Sequence, residues 1–251
     1  MISLDAIEKT IEECADCVVS CAVVLDETES TQNAAFQAYF SGQPVLVIAS
    51  KQTRGRGQRG NRWEDGEHET LACTFAIDAT GHDACRLAAA AGLAAMHAVA
   101  NACGPTTNTM IKWPNDVVVR NGTIDRKIGG VLIEIRDGVA MIGIGINAKQ
   151  IQWTEHLGNT AVSVSQVGGD ADRTRLACSL IDQFSRWICA GDDQIRSAWA
   201  EHDAMVGRNR VFLANNNRVE GTVVSVDPLN QIVVRTQSGV VNLDVRTTRN
   251  A

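Results

Sequence analysis

No run in the 251-residue chain approaches the roughly 18 consecutive apolar residues of a membrane-spanning helix. The opening residues, MISLDAIEKTIEECADC, are acidic where a secretory signal is basic, and they lack its apolar core, which predicts a cytoplasmic protein. Positive charge is also scarce. At a formal net charge of −6 the chain is repelled by nucleic acid and anionic lipid, so a protein that works by coating DNA is disfavoured and no membrane partner is expected. Internal repeats and low-complexity linkers are absent as well. What remains, 45% hydrophobic and 21% charged, is globular composition sufficient for one large domain or a large and a small one.

Eight cysteines are present, but they are spread through a chain long enough to form a core without staples, so buried free thiols are expected rather than a disulfide framework. Cys14, Cys17 and Cys21 follow the order C-x-x-C-x-x-x-C, a spacing that could hold iron–sulfur or contribute to zinc. With no fourth ligand or second C-x-x-C nearby, the favoured reading is structural. Ile7, Ile11, Cys14 and Cys17 form the apolar stripe of a first helix, and Cys21 lies in the strand VVSCAVVL.

Farther along, a polar stretch from Asp26 to Gln32 precedes a helix expected over Asn33 to Phe40, and Pro44 to Ala49 reads as a strand. Strand Leu71 to Ile77 and an alanine-rich helix from Asp83 to Cys103 follow. Met110 to Val119 reads as one strand interrupted by Pro114. Asn121-Gly122 and Asp137-Gly138 mark two hairpins, the second joining Lys127–Ile135 to Val139–Asn147. Helices are expected from Arg173 to Cys189 and from Gln194 to Met205. Beyond Gly207, short strands at 211–213, 219–226, 232–235 and 240–245 suggest a small all-β barrel, and hence domains at 1–206 and 207–251.

The least ordinary segment is the loop Gln52 to Trp63, with four arginines and three glycines between Arg54 and Arg62. Glycine lets backbone amides approach an anion and arginine supplies charge and donors, so the loop reads as a phosphate-handling flap that is mobile until an anion orders it. Its other functional reading is a sequence-independent nucleic-acid contact. Lys112-Trp-Pro-Asn-Asp116 gathers a cation, an aromatic, an amide and a carboxylate at a strand end, and a carboxylate beside a phosphate loop makes sense if it binds Mg²⁺ or orients a lysine. Alternation sends Lys127 toward one sheet face, where a lysine is costly unless it meets an anion, and Gly129 and Gly130 leave room for a ligand. Together these residues suit attack of a carboxylate on the α-phosphate of ATP, in which arginine, lysine and Mg²⁺ neutralise two mutually repelling anions.

Gly55-Arg-Gly-Gln-Arg-Gly-Asn-Arg-Trp63, Lys112-Trp-Pro-Asn-Asp116, Lys127-Ile-Gly-Gly-Val-Leu-Ile-Glu134 and Gly143-Ile-Gly-Ile-Asn147 resemble, in order and separation, the successive signatures of biotin protein ligases, over about residues 18 to 190. The resemblance implies an α+β fold. Its centre would be a mixed, largely antiparallel β-sheet with packed helices, like that of class II aminoacyl-tRNA synthetases and biotin ligases, followed by a small C-terminal SH3-like β-barrel. It implies a two-step reaction: biotin and MgATP give biotinyl-5′-AMP and pyrophosphate, and the biotinyl group then passes to one lysine of a biotin carboxyl carrier protein or domain. ATP with its Mg²⁺ and biotin are thus substrates, and no permanently bound cofactor is expected.

By position, Ser30, Thr31 and Gln32 resemble the motif that holds the ureido ring of biotin, with Gln32 where asparagine is usual, and Gln52 matches a biotin-contacting glutamine. Arg56 and Gly57 match residues at the biotin carboxylate and adenylate phosphate. Gln58, also on the biotin side, replaces a common arginine, for which Arg54 would compensate. Lys127 matches the lysine that meets both the carboxylate and the α-phosphate, and it and Arg56 are the expected catalytic residues. Gly130 would pass biotin through its backbone. Trp63, Lys112, Asn115, Asp116 and Asn147 fall on the nucleotide side with Arg56 and Lys127, and the metal ligands are left unassigned. With 29 residues before Ser30, the monofunctional form without a DNA-binding winged helix is expected, and relatives often pair as homodimers through a sheet edge. The nearest rival is a lipoate or octanoate transferase, which lacks the Gly-Arg-Gly and KWPND signatures; an RNA-binding module using the arginine–glycine loop is the rival of another class.

Overall fold

The computed structural model describes residues 2–39, 42–63, 69–154, 157–215 and 217–250. Phe40 and the side chain of Arg59 lie outside the described residues. Helix α1 (Leu4–Glu13) starts where the Ser3 hydroxyl accepts a hydrogen bond from the Ala6 N–H, and it buries Ile7 and Ile11 one turn apart. Cys14 is already the residue that closes the helix, so the expected stripe ends at Ile11. The strand expected over VVSCAVVL shortens to β1 (Cys21–Leu25), because the Val18 N–H is taken by the Ser185 hydroxyl before the ladder begins. All eight cysteines are free, yet only Cys73 is fully buried, which corrects the expectation of buried thiols. Among the described residues, no group of three or more His, Cys, Asp or Glu side chains is placed to hold a metal.

A seven-stranded sheet forms the centre. It is built from β1, β2 (Val45–Ala49), β3 (Thr70–Asp78), β4 (Thr109–Lys112), β5 (Asp116–Asn121), β6 (Ile124–Arg136) and β7 (Val139–Asn147), in the order β1-β2-β3-β7-β6-β5-β4. Only β1 and β2 run parallel. The single strand expected over 110–119 is two: Pro114 has no N–H for a ladder, the chain reverses at Trp113 and a cis Pro114, and Lys112 is brought opposite Asp116. Both dipeptide turns form as expected, with φ of 59° at Gly122 and of 51° and 78° at Asp137 and Gly138.

Alternation along the strands divides the sheet into two faces. Leu71, Cys73, Phe75 and Ile77 of β3 and Ala140, Ile142, Ile144 and Ile146 of β7 enter the large core. There they meet α3 (Ala84–Cys103) and α4 (Arg173–Cys189), while α1 packs on α4 and β1. The alanines of α3 let it lie close to the strands, and Phe75 meets Phe184 of α4 at 4.8 Å between ring centres. Each large side chain buried this way is worth about 1.5–3 kcal/mol. The opposite face is covered only in part, by α2 (Thr31–Ala38), which packs Ala35 against Val45, Val47, Ala76 and Met141. This helix starts two residues earlier than expected, so Thr31 and Gln32 belong to its first turn. Beyond it, the sheet presents Ala72, Thr74, Gly143 and Gly145, side chains too small to fill the space above them.

After α5 (Asp192–His202), which begins and ends earlier than expected, comes a second sheet of β8 (Asn209–Ala214), β9 (Asn217–Asp227), β10 (Gln231–Thr236), β11 (Gly239–Asp244) and β12 (Thr248–Asn250). The strands are antiparallel in the order β11-β10-β9-β8-β12, and β12 had no counterpart in the sequence pattern. Phe212 packs at 6.4 Å from Trp113, which seats this sheet against the turn between β4 and β5. No helix among the described residues is long and apolar enough to cross a membrane.

Candidate active site

Above the small residues of β3, β7 and β6 lies a concave pocket open to solvent on one side. The first turn of α2 forms one wall. Ser30 stands at the N-cap position, where a serine normally bonds the helix N–H groups, yet its hydroxyl makes no capping bond and is buried without a partner. Gln32 donates its amide N–H to the Leu132 carbonyl at 3.0 Å, which leaves its oxygen buried and unpartnered. Thr31 is a scaffold residue: its N–H and hydroxyl both donate to the Gln52 side-chain oxygen, at 2.9 and 3.1 Å, while its hydroxyl accepts from Thr74. Buried polar atoms without partners cost free energy, so Ser30 Oγ and Gln32 Oε1 mark where a ligand's own polar groups belong.

The floor admits these side chains only because it is glycine. A Cβ at Gly143 would stand 2.6 Å from Gln32 Nε2, and one at Gly145 would stand 2.5 Å from the Trp63 indole. Trp63 comes from the arginine–glycine loop, lies on Gly145, and has its indole N–H buried without a partner. The loop itself is shaped by a single 3-10 turn at Gln58–Gly60 and a backbone bridge between Arg56 and Arg62.

Lys127 reaches the same face through an irregularity. Along β6, Lys127 and Gly130 have opposite parity, but the register slips between Val117 and Val118 so that Ile128 pairs with no residue of β5. This bulge turns Ile128 into the core and Lys127 toward Gly130, whose added Cβ would meet the lysine Nζ at 3.1 Å. Asn147 ties down the same backbone: its side-chain amide donates to the carbonyls of Lys127 and Val162. The ammonium sits 2.5 Å from Asp116 and 5.7 Å from the centre of the Trp63 ring.

A second cavity, of about 930 Å³, begins on the far side of that pair. Trp63, Lys112, Asp116, Lys127 and Asn147 line it, with Arg62, Asp125 and Trp153. Lys127 and Trp63 are therefore shared walls of both spaces. Of the residues expected at the site, Ser30, Thr31, Gln32, Gln52, Arg56, Gly57, Gln58 and Gly130 line the first cavity. Asn115, expected on the nucleotide side, lines the first cavity instead and donates to the Val131 carbonyl at 2.8 Å. Arg54 pairs with Glu29 at the surface at 3.5 Å, and it is not among the residues lining either cavity.

Two partners escaped the sequence reading. Arg56 is held by Glu134 at 2.9 Å and by Asn33 at 3.1 Å, which ties the loop to β6 and α2. Strand alternation from Gly130 through Leu132 to Glu134 was the signal for the first of these. The buried thiol of Cys73, also in the cavity wall, is pushed up to about 12 by loss of solvent, so it stays protonated and inert at neutral pH.

Chemically, the arrangement is two chambers that meet at one lysine. One is floored by glycine and small side chains and walled by serine, glutamine, Arg56 and Lys127, and the other carries tryptophan, two carboxylates and cations. It suits the joining of a small acid to a charged, aromatic co-substrate.

Known proteins give the same geometry a context. Residues 23–150 match the sequence model of the biotin/lipoate A/B protein ligase family. The biotin–[acetyl-CoA-carboxylase] ligase of Mycobacterium tuberculosis is 30% identical over 192 residues, which span 73% of this chain and 70% of that protein. The enzyme of the same description from Paracoccus denitrificans is 29% identical over 233 residues, 86% of this chain and 95% of its own. Among solved structures, the biotin protein ligase of Aquifex aeolicus in complex with biotin and ATP superposes with a TM-score of 0.80 at 22% identity, covering 92% of this chain and 99% of that one, a likeness of fold.

Proposed function

The chain belongs to the biotin/lipoate A/B protein ligase family, and from that premise we propose that it is a biotin–[biotin carboxyl carrier protein] ligase. It activates biotin with ATP to biotinyl-5′-AMP and passes the biotinyl group to a lysine of a carrier domain. The observation that carries this reading is that Lys127 walls both cavities, so a carboxylate in one and an α-phosphate in the other would meet at its ammonium.

In the first cavity, biotin's ureido oxygen is the acceptor that the Ser30 hydroxyl lacks, and a ureido N–H is the donor that Gln32 Oε1 lacks. The carboxylate end then points toward Arg56 and Lys127. A carboxylate oxygen attacks the α-phosphorus, the bond to the β-phosphate breaks, and pyrophosphate leaves with the electron pair. Lys127 is the catalytic cation of this step, because negative charge on phosphorus peaks beside it. Asp116 orients the ammonium, and Mg²⁺ enters with ATP as substrate; Asp116 and Asp125 are the carboxylates that face its cavity. In the second step the neutral amine of the acceptor lysine attacks the acyl carbon and AMP departs. Water competes for the same carbon, and the loop carrying Arg56 and Trp63 would exclude it.

Residues 1–206 would form the catalytic domain and 207–251 a small accessory domain, a division supported by the break in sheet pairing before β8 at Asn209. Pyrophosphate release measured with each substrate alone and together tests the function. Release that requires both biotin and ATP, followed by a mass gain on a carrier domain, is the expected result. Release supported by lipoate and not by biotin would replace the reading.

A further inference from the structure

We propose that Cys14 and Cys17 are a modification site, a dithiol that small uncharged disulfides oxidise reversibly to an internal bridge, which staples the end of α1 to its anchor on α4. The pair lines neither cavity of the candidate active site and does not depend on the ligase reading.

Cys14 closes α1, and the chain turns back at once: the Cys17 N–H donates to the Cys14 carbonyl at 3.3 Å. A bond of this kind closes a β-turn, whose outer Cα atoms lie within about 7 Å of each other, the separation that a disulfide can bridge. Both side chains are partly exposed, so a small reagent can reach them. The two thiols also sense one another. Burial holds the Cys17 thiol above its usual value and the Cys14 thiol beside it adds to the rise, while the Val19 N–H and the Ser185 hydroxyl oppose it. Cys73 and Cys103 are raised by burial alone, to about 12 and about 11, with no second thiol contributing.

The oxidised product suits the fold around it. The Ser185 hydroxyl on α4 accepts from the Val18 N–H at 3.0 Å and donates to Cys17 Sγ at 3.9 Å, so Cys17 is already fixed to α4. A bridge would bring Cys14 under the same anchor. Because a helix of ten residues is marginal alone, a tie at its last turn has something to hold. The exchange balances. The Cys14 thiolate attacks one sulfur of the small disulfide and expels a thiolate; the Cys17 thiolate then attacks the Cys14 sulfur and expels the second. Both cysteine protons end on the released thiols, and the reagent gains the two electrons that the protein loses. Glu12, Glu13 and Asp16 are exposed beside the pair, which favours an uncharged reagent over an anionic one.

The test equilibrates the full chain with hydroxyethyl disulfide and mercaptoethanol, folded and in urea, and counts by mass the thiols that remain open to alkylation. We expect two of the eight thiols to be protected, and the equilibrium constant for the bridge to be about tenfold larger in the folded protein than in the unfolded one. By linkage the oxidised protein should then melt a few degrees higher. Neither Cys14→Ser nor Cys17→Ser should form an internal bridge, whereas Cys21→Ser should form it like wild type. Absence of the bridge in folded wild type overturns the site, as does its loss in Cys21→Ser or its survival in the other two variants. Equal constants in folded and unfolded chains, or a lower Tm on oxidation, would show that the turn is not shaped for the pair. Those two measurements need no variant, so they decide the matter even where a substitution impairs folding.

Discussion

Replacing Lys127 by alanine separates a structural role from a chemical one, because the two have very different magnitudes. Its ion pair with Asp116 spans 2.5 Å, but the side chains are 38% and 23% exposed. A pair so open to water is worth about 0–1 kcal/mol. For a chain of this length that corresponds to a fall in Tm of no more than about 4 °C. Removing one cation aimed at developing negative charge costs about 2.7–4 kcal/mol, a loss of about a hundred- to a thousandfold in rate. The variant should therefore fold, melt close to wild type, and form biotinyl-AMP extremely slowly. The assay is single-turnover release of pyrophosphate at saturating biotin and MgATP, read alongside a thermal melt. Pairing the substitution with Asp116→Asn removes the alternative that the lysine only neutralises its neighbour. If neutralisation were the whole role, the double variant would regain activity; if Lys127 acts on phosphorus, it stays slow. Recovery in the double variant, or near wild-type turnover in the single one, refutes the reasoning.

Three further outcomes are expected. Gly145→Ala puts a methyl 2.5–2.9 Å from the Trp63 indole, about 1 Å inside van der Waals contact. The indole must leave the wall between the cavities, so the KM values for ATP and biotin should both rise, with about 1–3 kcal/mol lost from stability; destabilisation with both KM values intact would contradict the placement of Trp63. Arg56→Ala cuts the ties to Glu134 and Asn33 together with the proposed contact to the intermediate, so free biotinyl-AMP in solution should rise about tenfold, and turnover without such leakage would show that the loop guards nothing. His97 is held below its usual value chiefly by burial, then by the charges of His202 and Arg186, with Glu201 opposing. The unfolded chain therefore takes up this proton first, and stability should fall as pH drops below about 6.5. His97→Phe, which keeps a ring stacked on Trp187, should flatten that part of the Tm profile, and an unchanged slope would acquit the histidine.

Much of the site was legible in the chain because its residue types are costly elsewhere. Arginines alternating with glycines, a lysine entering an apolar strand, and glycines at 129 and 130 all ask for a ligand or a close neighbour, and they stand at positions that family resemblance could check. Element boundaries were less legible. The β4–β5 reversal at Trp113-Pro114 read as one interrupted strand, since removing a ladder donor permits either a bulge or a turn. Helix α2 began earlier than expected because Thr31 and Gln32 are held by Gln52, Thr74 and Leu132, all distant in sequence.

Local chemistry by itself settled the two dipeptide hairpins, the alternating strands and the alanine-rich helix, since each depends on neighbours a few positions away. Tertiary structure alone decided which face Lys127 occupies, through an unpaired Ile128 that depends on the register of β5 against β6. It also decided that Glu134 and Asn33 hold Arg56, and that Arg120, Arg208 and Arg210 crowd one aspartate. Those facts follow from distances between strands far apart along the chain, which only closure of the sheets can set.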